Sequence, residues 1–137
     1  MKAIMTQLKT IGVVINDIYD ANIKEGTNCS LREMSRGCWP VGNSSRARAC
    51  EYLVASAHGN LVGAWRIDKT KGMGGWMLPN QSPRKGLPPK LEAERKKMCD
   101  PFRAKRRVCE LIDLSAAEQA AVIKAFKARF CGQIGYC

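Results

Sequence analysis

The sequence predicts a single α+β domain in which buried strands alternate with short helices. The chain has 137 residues, a usual length for one domain. Apolar and β-branched runs typical of buried strands are interspersed with serine-capped segments typical of helices. In chain order these segments read strand, helix, hairpin, strand and helix, which is an α+β arrangement.

The first strand is predicted at residues 10–16, where most side chains are β-branched or apolar. Residues 22–30 are polar and predict a loop. A short helix is predicted from Ser30, because Glu33 follows three residues later and completes a capping box. Gly37 is expected to end this helix.

A β-hairpin is the clearest local signal in the sequence. Two apolar runs, residues 52–57 and 61–68, are joined by the turn sequence His-Gly-Asn at 58–60. Just before this hairpin, residues 43–50 predict a second short helix, capped by the first or second residue of the segment.

A long basic insertion rich in glycine and proline is predicted at about residues 69–104. Residues 70–90 contain four glycines and four prolines, a composition typical of a long loop, with a short strand at 75–78. From 84 to 107 there are ten basic and three acidic residues. Residues 84–107 therefore carry more than half of the excess positive charge of the chain.

The last part of the chain predicts a strand followed by a helix. Residues 106–114 have strand character, and Ser115 with Glu118 forms a capping box that starts a C-terminal helix. Gly132 is placed to end it, and residues 133–137 predict a final short strand. Three side chains at helical spacing are expected to face the core: Val122, Phe126 and Phe130.

The charge of the chain indicates a polyanionic partner. There are 23 Lys and Arg against 12 Asp and Glu, which gives a net charge of +11. Such a balance favours nucleic acid, an acidic protein or an anionic surface as a partner. No apolar run reaches the roughly 20 residues needed to cross a bilayer, and the N-terminal residues make a poor signal peptide. We therefore expect a cytoplasmic protein with no membrane partner.

The seven cysteines are expected to be reduced thiols in a cytosol. No two of them are two to four residues apart, as zinc fingers and ribbons require, and His58 is the only histidine. The sequence therefore predicts neither a bound metal nor a cofactor. A single histidine also argues against a Ser–His or Cys–His nucleophile.

The acidic residues and glycines do not form a recognisable enzyme motif. Glu92 and Glu94 lie two residues apart in a charged stretch and are expected to pair with Lys96 or Lys97. Residues 72–75 are glycine-rich but lack the Lys and Ser/Thr of a phosphate-binding loop. We therefore predict a protein that is not an enzyme and has no catalytic residues.

The basic segment is predicted to contact a phosphate backbone, with a solvated charged face as the alternative. The predicted phosphate-binding residues are Arg95, Lys96, Lys97, Arg103, Lys105, Arg106 and Arg107. Aromatic residues beside glycine or proline, namely Trp39 and Trp76, are candidates for stacking on a base. Trp65 lies on a hairpin face and is expected in the core, with Arg66 pointing to the opposite face.

Three short segments together carry a family resemblance. They are Arg-Gly-Cys-Trp at 36–39, Arg-Ala-Arg-Ala-Cys-Glu-Tyr at 46–52 and Gly-Asn-Leu-Val-Gly-Ala-Trp at 59–65. This pattern resembles small bacterial and phage domains of the PUA-like superfamily, which includes the EVE and ASCH domains. The resemblance covers about residues 10–68, with weaker agreement at 105–111.

The resemblance implies a small mixed β-barrel, partly closed, with short flanking helices and a C-terminal helix. Such domains bind RNA or recognise a modified base in an aromatic pocket, often in restriction or phage-defence contexts. Carried onto this chain, it implies a ligand pocket lined by Arg36 and Trp39, with Arg66 and Trp76 as further candidates.

The sequence as a whole predicts a non-enzymatic module that binds DNA or RNA. One alternative is a small phage or mobile-element protein that inhibits an acidic or nucleic-acid-loaded host complex by protein–protein binding. Another is an accessory domain of a nuclease whose catalytic residues lie on a different chain.

Overall fold

Seven strands and five α-helices make up the described part of the chain, residues 9–81, 87–99, 103–130 and 132–137 of a computed structural model. The strands are β1 (Thr10–Val14), β2 (Tyr52–Ala57), β3 (Asn60–Ile67), β4 (Trp76–Met77), β5 (Val108–Cys109), β6 (Leu111–Asp113) and β7 (Ile134–Tyr136). The helices are α1 (Asn16–Lys24), α2 (Leu31–Ser35), α3 (Ser45–Ala49), α4 (Pro89–Cys99) and α5 (Ala116–Ala125). Two short 3₁₀ helices cover Pro79–Gln81 and Arg103–Lys105.

The main sheet has five strands in the order β6-β3-β2-β1-β7, and β4 pairs with β5 in a separate two-stranded sheet. β1 runs parallel to β2, and the other neighbours are antiparallel. The predicted α+β class is confirmed. The predicted partial barrel is not confirmed, because the described sheet is open. Its edge strands β6 and β7 have only three residues each and lie at opposite sides of the sheet.

The two faces of the main sheet are covered by different elements. One face contributes Val54 and Ala64 to a cluster with Val122 and Phe126 from the C-terminal region. The other face forms the main core, which includes Leu53 and side chains from the helices that precede β2. Because side chains alternate along a strand, one set of residues serves each face.

The predicted serine caps and the hairpin turn are present. The hydroxyl groups of Ser30 and Ser115 accept hydrogen bonds from the backbone N–H three residues later, and Ser44, not Asn43, caps α3. The hairpin turn places His58 at φ 49°, a left-handed conformation suited to this type of turn.

The C-terminal helix ends earlier than its sequence pattern predicts. It stops at Ala125, and Phe126 adopts an extended backbone. The ring of Phe126 then packs against Gly12 of β1, where a Cβ atom would collide with it. Phe130 follows, with its ring centroid 5.7 Å from that of Phe126. Packing on β1 therefore takes precedence over continuing the helix.

Two helices, α1 and α4, are absent from the sequence prediction. In α4 the buried residues are Leu91, Arg95 and Cys99, a stripe at helical spacing whose central member is charged. In α1 the only buried residue is Ile18, and no side chain caps the N-terminus. Helix α4 lacks the apolar periodicity from which helices are predicted. Helix α1 shows it only over nine residues, with Tyr19 and Ala21 packed beside Ile18 on the core.

A disulfide joins Cys38 to Cys99, whose Cα atoms are 5.3 Å apart. This corrects the expectation that all cysteines are reduced. The two residues are separated by 61 positions in the chain, so no local spacing signals the pair. Burial raises the pKa of the Cys109 thiol to about 12 and that of Cys50 to about 11, which keeps both protonated at neutral pH.

We expect Phe126→Ala to lower the free energy of unfolding by about 3–5 kcal/mol, because it removes a buried ring and leaves a cavity beside Gly12. Urea unfolding measures this loss. Lys124→Ala, an exposed position in the last turn of α5, is the control and should change stability by less than about 0.5 kcal/mol. Equal stability of the two variants would contradict the packing described for Phe126.

We expect reduction of the Cys38–Cys99 bond to lower the free energy of unfolding by about 4 kcal/mol, the chain-entropy value for a loop of this length. Urea unfolding with and without reductant gives the difference. Thiol titration in denaturant should find two fewer reactive groups before reduction than after it. Identical thiol counts would show that the bond is not formed.

Candidate functional site

The predicted ligand pocket around Arg36 and Trp39 is corrected by the structure, because both side chains are buried. Trp39 lies in the main core with no exposed surface, and its indole N–H donates a 2.8 Å hydrogen bond to the Ser35 carbonyl. The backbone of Trp39 also forms a β-bridge with Arg107. The ring therefore presents no face on which a base could stack.

Arg36 forms structural contacts at the end of α2. Its Nε donates a 3.1 Å hydrogen bond to the Cys109 carbonyl, and its Nη1 lies 3.1 Å from the carboxylate of Glu33. A second carboxylate, that of Glu110, lies 3.9 Å from Nη2. With its charge balanced by these groups, Arg36 links α2 to the segment containing β5.

Arg95 and Arg106, both predicted to contact phosphate, are also buried. Arg95 donates a hydrogen bond to the Glu33 carbonyl. Arg106 donates to the Cys38 carbonyl at 3.1 Å and to the side-chain oxygen of Gln133 at 2.6 Å, and burial lowers its pKa. These two arginines hold parts of the chain together and are not available to a ligand.

The three lysines that were predicted to contact phosphate are exposed. Lys96 and Lys97 lie on α4, and the ammonium of Lys97 is 3.3 Å from the carboxylate of Glu94, as expected for a pair within one helix. Lys105 is exposed at the end of the second 3₁₀ helix. The side chain of Arg103 lies outside the described residues.

Arg66 points away from Trp65, as the strand alternation predicts. Its guanidinium carbon lies 4.9 Å from the ring centroid of Tyr52, and its Nη2 is 3.2 Å from the Tyr52 hydroxyl. The cation is therefore stacked on its cross-strand neighbour. The structure does not bring Arg66 together with Trp76.

A concave pocket of about 280 Å³ does bring together two of the predicted site residues, Trp76 and Arg107. We call it the arginine pocket, because Arg48 lines it as well. Its described lining residues are Gly42, Asn43, Arg48, Gly72, Met73, Trp76, Leu78, Gln81 and Arg107. No Asp or Glu is among them.

A second pocket adjoins the arginine pocket at Leu78. It has a volume of about 410 Å³ and is lined by Leu78, Pro79, Asn80 and Ala104. We call it the apolar pocket and refer to the two together as the groove. Met73 is 64% exposed and Leu78 is 40% exposed, so the groove presents apolar surface beside its cations.

Trp76 forms part of the floor of the arginine pocket. It is 4% exposed, and its indole N–H donates a 3.0 Å hydrogen bond to the Ala47 carbonyl. Pairing with Cys109 in the two-stranded sheet fixes its backbone. Trp76 is therefore almost completely buried and does not present the open stacking face that the sequence suggests.

Arg48 is positioned by contacts between α3 and the glycine-rich loop before β4. Its Nη2 donates a 3.1 Å hydrogen bond to the Asn43 carbonyl. The Lys69 ammonium donates to the carbonyls of Arg48, at 2.6 Å, and Gly74, at 3.1 Å, and so ties the helix to the loop. A Cβ atom at Gly74 would lie 2.7 Å from the Cβ of Arg48, so this close approach requires glycine.

Both arginines of the pocket keep unused hydrogen-bond donors. The Nε of Arg48 is buried and has no hydrogen-bond partner among the described residues. In Arg107, Nη1 donates to the carbonyls of Ala104 and Arg106, both at 2.9 Å. Within the described part of the chain, Nε and Nη2 of Arg107 remain unpaired. The bond to Ala104 also places this guanidinium beside the apolar pocket.

This arrangement is suited to binding an anion that carries an apolar or planar group. Guanidinium groups stay charged at any physiological pH and bind phosphate or carboxylate oxygens with two parallel hydrogen bonds. The amide side chains of Asn43 and Gln81 add neutral polar groups to the pocket wall. None of the described lining residues is a histidine, cysteine, serine or carboxylate that could act as a nucleophile or base.

Sequence reasoning missed Arg48, Met73 and Leu78. Arg46 and Arg48 are two residues apart on a helix, so they point in different directions. Arg46 accordingly lies over the ring of Tyr136, 4.6 Å from its centroid, while Arg48 lines the pocket. The one available signal was the glycine-rich loop before Trp76, which indicates a close approach of backbone to a neighbouring element.

No protein-family model matches this chain, and no curated protein or solved structure is significantly similar to it. The resemblance to PUA-like domains therefore stays a prediction. Among the described residues, no helix is both long and apolar enough to cross a membrane.

The adjacent residues Arg106 and Arg107 are predicted to differ sharply when replaced. Arg106→Met should lower the free energy of unfolding by about 2–3 kcal/mol, because the buried Cys38 carbonyl loses a charged donor. Arg107→Met should cost less than about 1 kcal/mol, because its side chain bonds only to carbonyls within three residues of it, one exposed and one partly buried. Thermal and urea unfolding of the two variants test this. A larger loss of stability for Arg107→Met than for Arg106→Met would contradict a structural role for Arg106 and a surface role for Arg107.

Proposed function

We propose that this protein is a non-enzymatic nucleic-acid-binding module whose ligand lies in the groove formed by the arginine pocket and the apolar pocket. The observation that carries the proposal is the composition of the groove. Two arginines and exposed apolar side chains line one concavity, and no carboxylate is among its described lining residues. Phosphate and base are the anionic and planar parts of one ligand class that requires this combination.

The charge distribution supports a polyanionic ligand. The chain carries a net charge of +11, which favours association with a nucleic-acid backbone. The exposed Lys71 is next to Gly72 of the arginine pocket, and the exposed Lys105 lies beside Gly42, whose N–H bonds to the Lys105 carbonyl. Where a strand extends out of the groove, its next phosphates would lie near these lysines.

The proposal changes the residues that the sequence assigns to the ligand. Arg48 and Arg107 replace Arg36 as the cations of the pocket, and Met73 and Leu78 replace Trp39 as its apolar surface. A PUA-like barrel and the recognition of a modified base remain compatible proposals, supported by the sequence resemblance. The choice between DNA and RNA is left to experiment.

Fluorescence anisotropy with single-stranded DNA and RNA tests this function. We expect Arg48→Gln and Arg107→Gln each to weaken binding by roughly 10- to 150-fold, because each removes a charge-assisted contact worth about 1.5–3 kcal/mol. Each should also flatten the logarithmic salt dependence by about one unit. Arg46→Gln is the matched control. It lies on the same helix but contacts Tyr136, so it should weaken binding by no more than about twofold.

Circular dichroism and thermal unfolding must first show that the variants are folded. If both groove variants bind as tightly as Arg46→Gln, the groove is not the binding site. If the parent protein binds neither DNA nor RNA at low salt, the proposed function is wrong. In that case the alternative of an inhibitor that binds an acidic protein complex takes its place, with the groove as the protein interface.

A further inference from the structure

We infer that the groove recognises the phosphorylated end of a strand, with the terminal phosphate in the arginine pocket and the terminal nucleoside against the apolar pocket. This inference rests on the proposed function and specifies its ligand. It depends on the number of cations in one pocket, the donors that they leave unused, and the apolar pocket next to them.

The number of cations exceeds what an internal phosphate requires. A phosphodiester within a strand carries one negative charge and has two non-bridging oxygens, which one guanidinium can satisfy with its pair of parallel donors. A terminal phosphate monoester carries about −1.5 to −2 at pH 7 and presents three acceptor oxygens. Arg48 and Arg107, with no Asp or Glu among the described lining residues, match the second case.

The unused donors are consistent with a ligand of several acceptors. The Nε of Arg48 has no hydrogen-bond partner among the described residues although it is buried. Because Nε has almost no solvent-accessible surface, the donors that Arg48 offers to an oxyanion are those of its Nη groups, of which Nη2 also bonds to the Asn43 carbonyl. Arg107 adds its own Nε and Nη2, because its two carbonyl bonds use only Nη1.

The layout of the groove provides for one phosphate and one nucleoside. The two pockets meet at Leu78, and the bond from Arg107 to the Ala104 carbonyl places this guanidinium where they join. A phosphate held there puts its attached sugar and base beside Leu78 and Pro79. The apolar pocket, at about 410 Å³, is in the range of pockets that hold small ligands.

The test compares strands that differ only at their ends. Single strands of about 12 nucleotides, labelled at an internal position, carry either a phosphate or a hydroxyl at the 5′ end or at the 3′ end. We expect a phosphate at one of the two ends to increase affinity about tenfold or more over the hydroxyl form. The gain should decrease as salt is raised, because the contacts between the arginines and the terminal phosphate are themselves ionic.

Three variants separate end recognition from the effect of an added charge. The gain should disappear in Arg107→Gln, which removes two unpaired donors, and decrease in Arg48→Gln. Arg46→Gln, whose side chain contacts Tyr136, should retain it in full. Thermal unfolding establishes that each variant is folded. Should Arg48→Gln be unfolded, Arg107→Gln measured against Arg46→Gln decides the question.

The possible failures are distinguishable. If strands bind to the groove but a terminal phosphate adds no more than about twofold, end recognition is overturned and the proposed function stands. A gain that persists in both groove variants also overturns it, since the phosphate then binds elsewhere. If no strand binds at all, the proposed function itself fails.

Discussion

The segment from the end of α2 to Trp39 is fixed by buried positive charge, and much of the structure depends on this constraint. Arg36, Arg95 and Arg106 come from three separate parts of the sequence, and each donates to a backbone carbonyl in the interior. A buried cation is tolerated only with well-placed acceptors, so each arginine fixes the carbonyl that it contacts. The disulfide at Cys38 adds a covalent link to α4 in the same segment.

This network also determines where the groove lies. Trp39, enclosed in the core, pairs through its backbone with Arg107, the residue directly after the buried Arg106. Neighbouring residues in an extended backbone point in opposite directions, so one arginine enters the interior while the next faces outward. The outward guanidinium then lines the arginine pocket, as Arg48 does. The side chain of Arg106 therefore lies in the core, and that of the next residue, Arg107, lines the groove.

The local features of this fold can be predicted from the sequence, and its long-range features cannot. The caps at Ser30 and Ser115 and the hairpin turn at His58 depend on neighbours within a few residues, and all are present. In contrast, α4 was not predicted because Arg95 interrupts the apolar stripe of its buried face. A basic residue is ordinarily exposed, and its burial here depends on distant acceptors such as the Glu33 carbonyl, 62 residues away. The candidate site was missed for the same reason, since its cations become neighbours only through the fold.

The net charge of the chain therefore indicates a class of ligand but does not locate the site. On the surface of α4, Lys90 and Lys97 lie within 3.3 Å of Glu25 and Glu94 respectively, so their fields are partly cancelled. The buried arginines are compensated by carbonyls and amide or carboxylate oxygens. The groove is distinguished by a local excess of positive charge. Its cations share a concave surface with apolar side chains, and its described lining residues include no Asp or Glu. In a concave, partly desolvated setting each such charge interacts more strongly with an anion than an exposed lysine does. A few well-placed cations there are more informative about binding than the larger number spread along the basic segment.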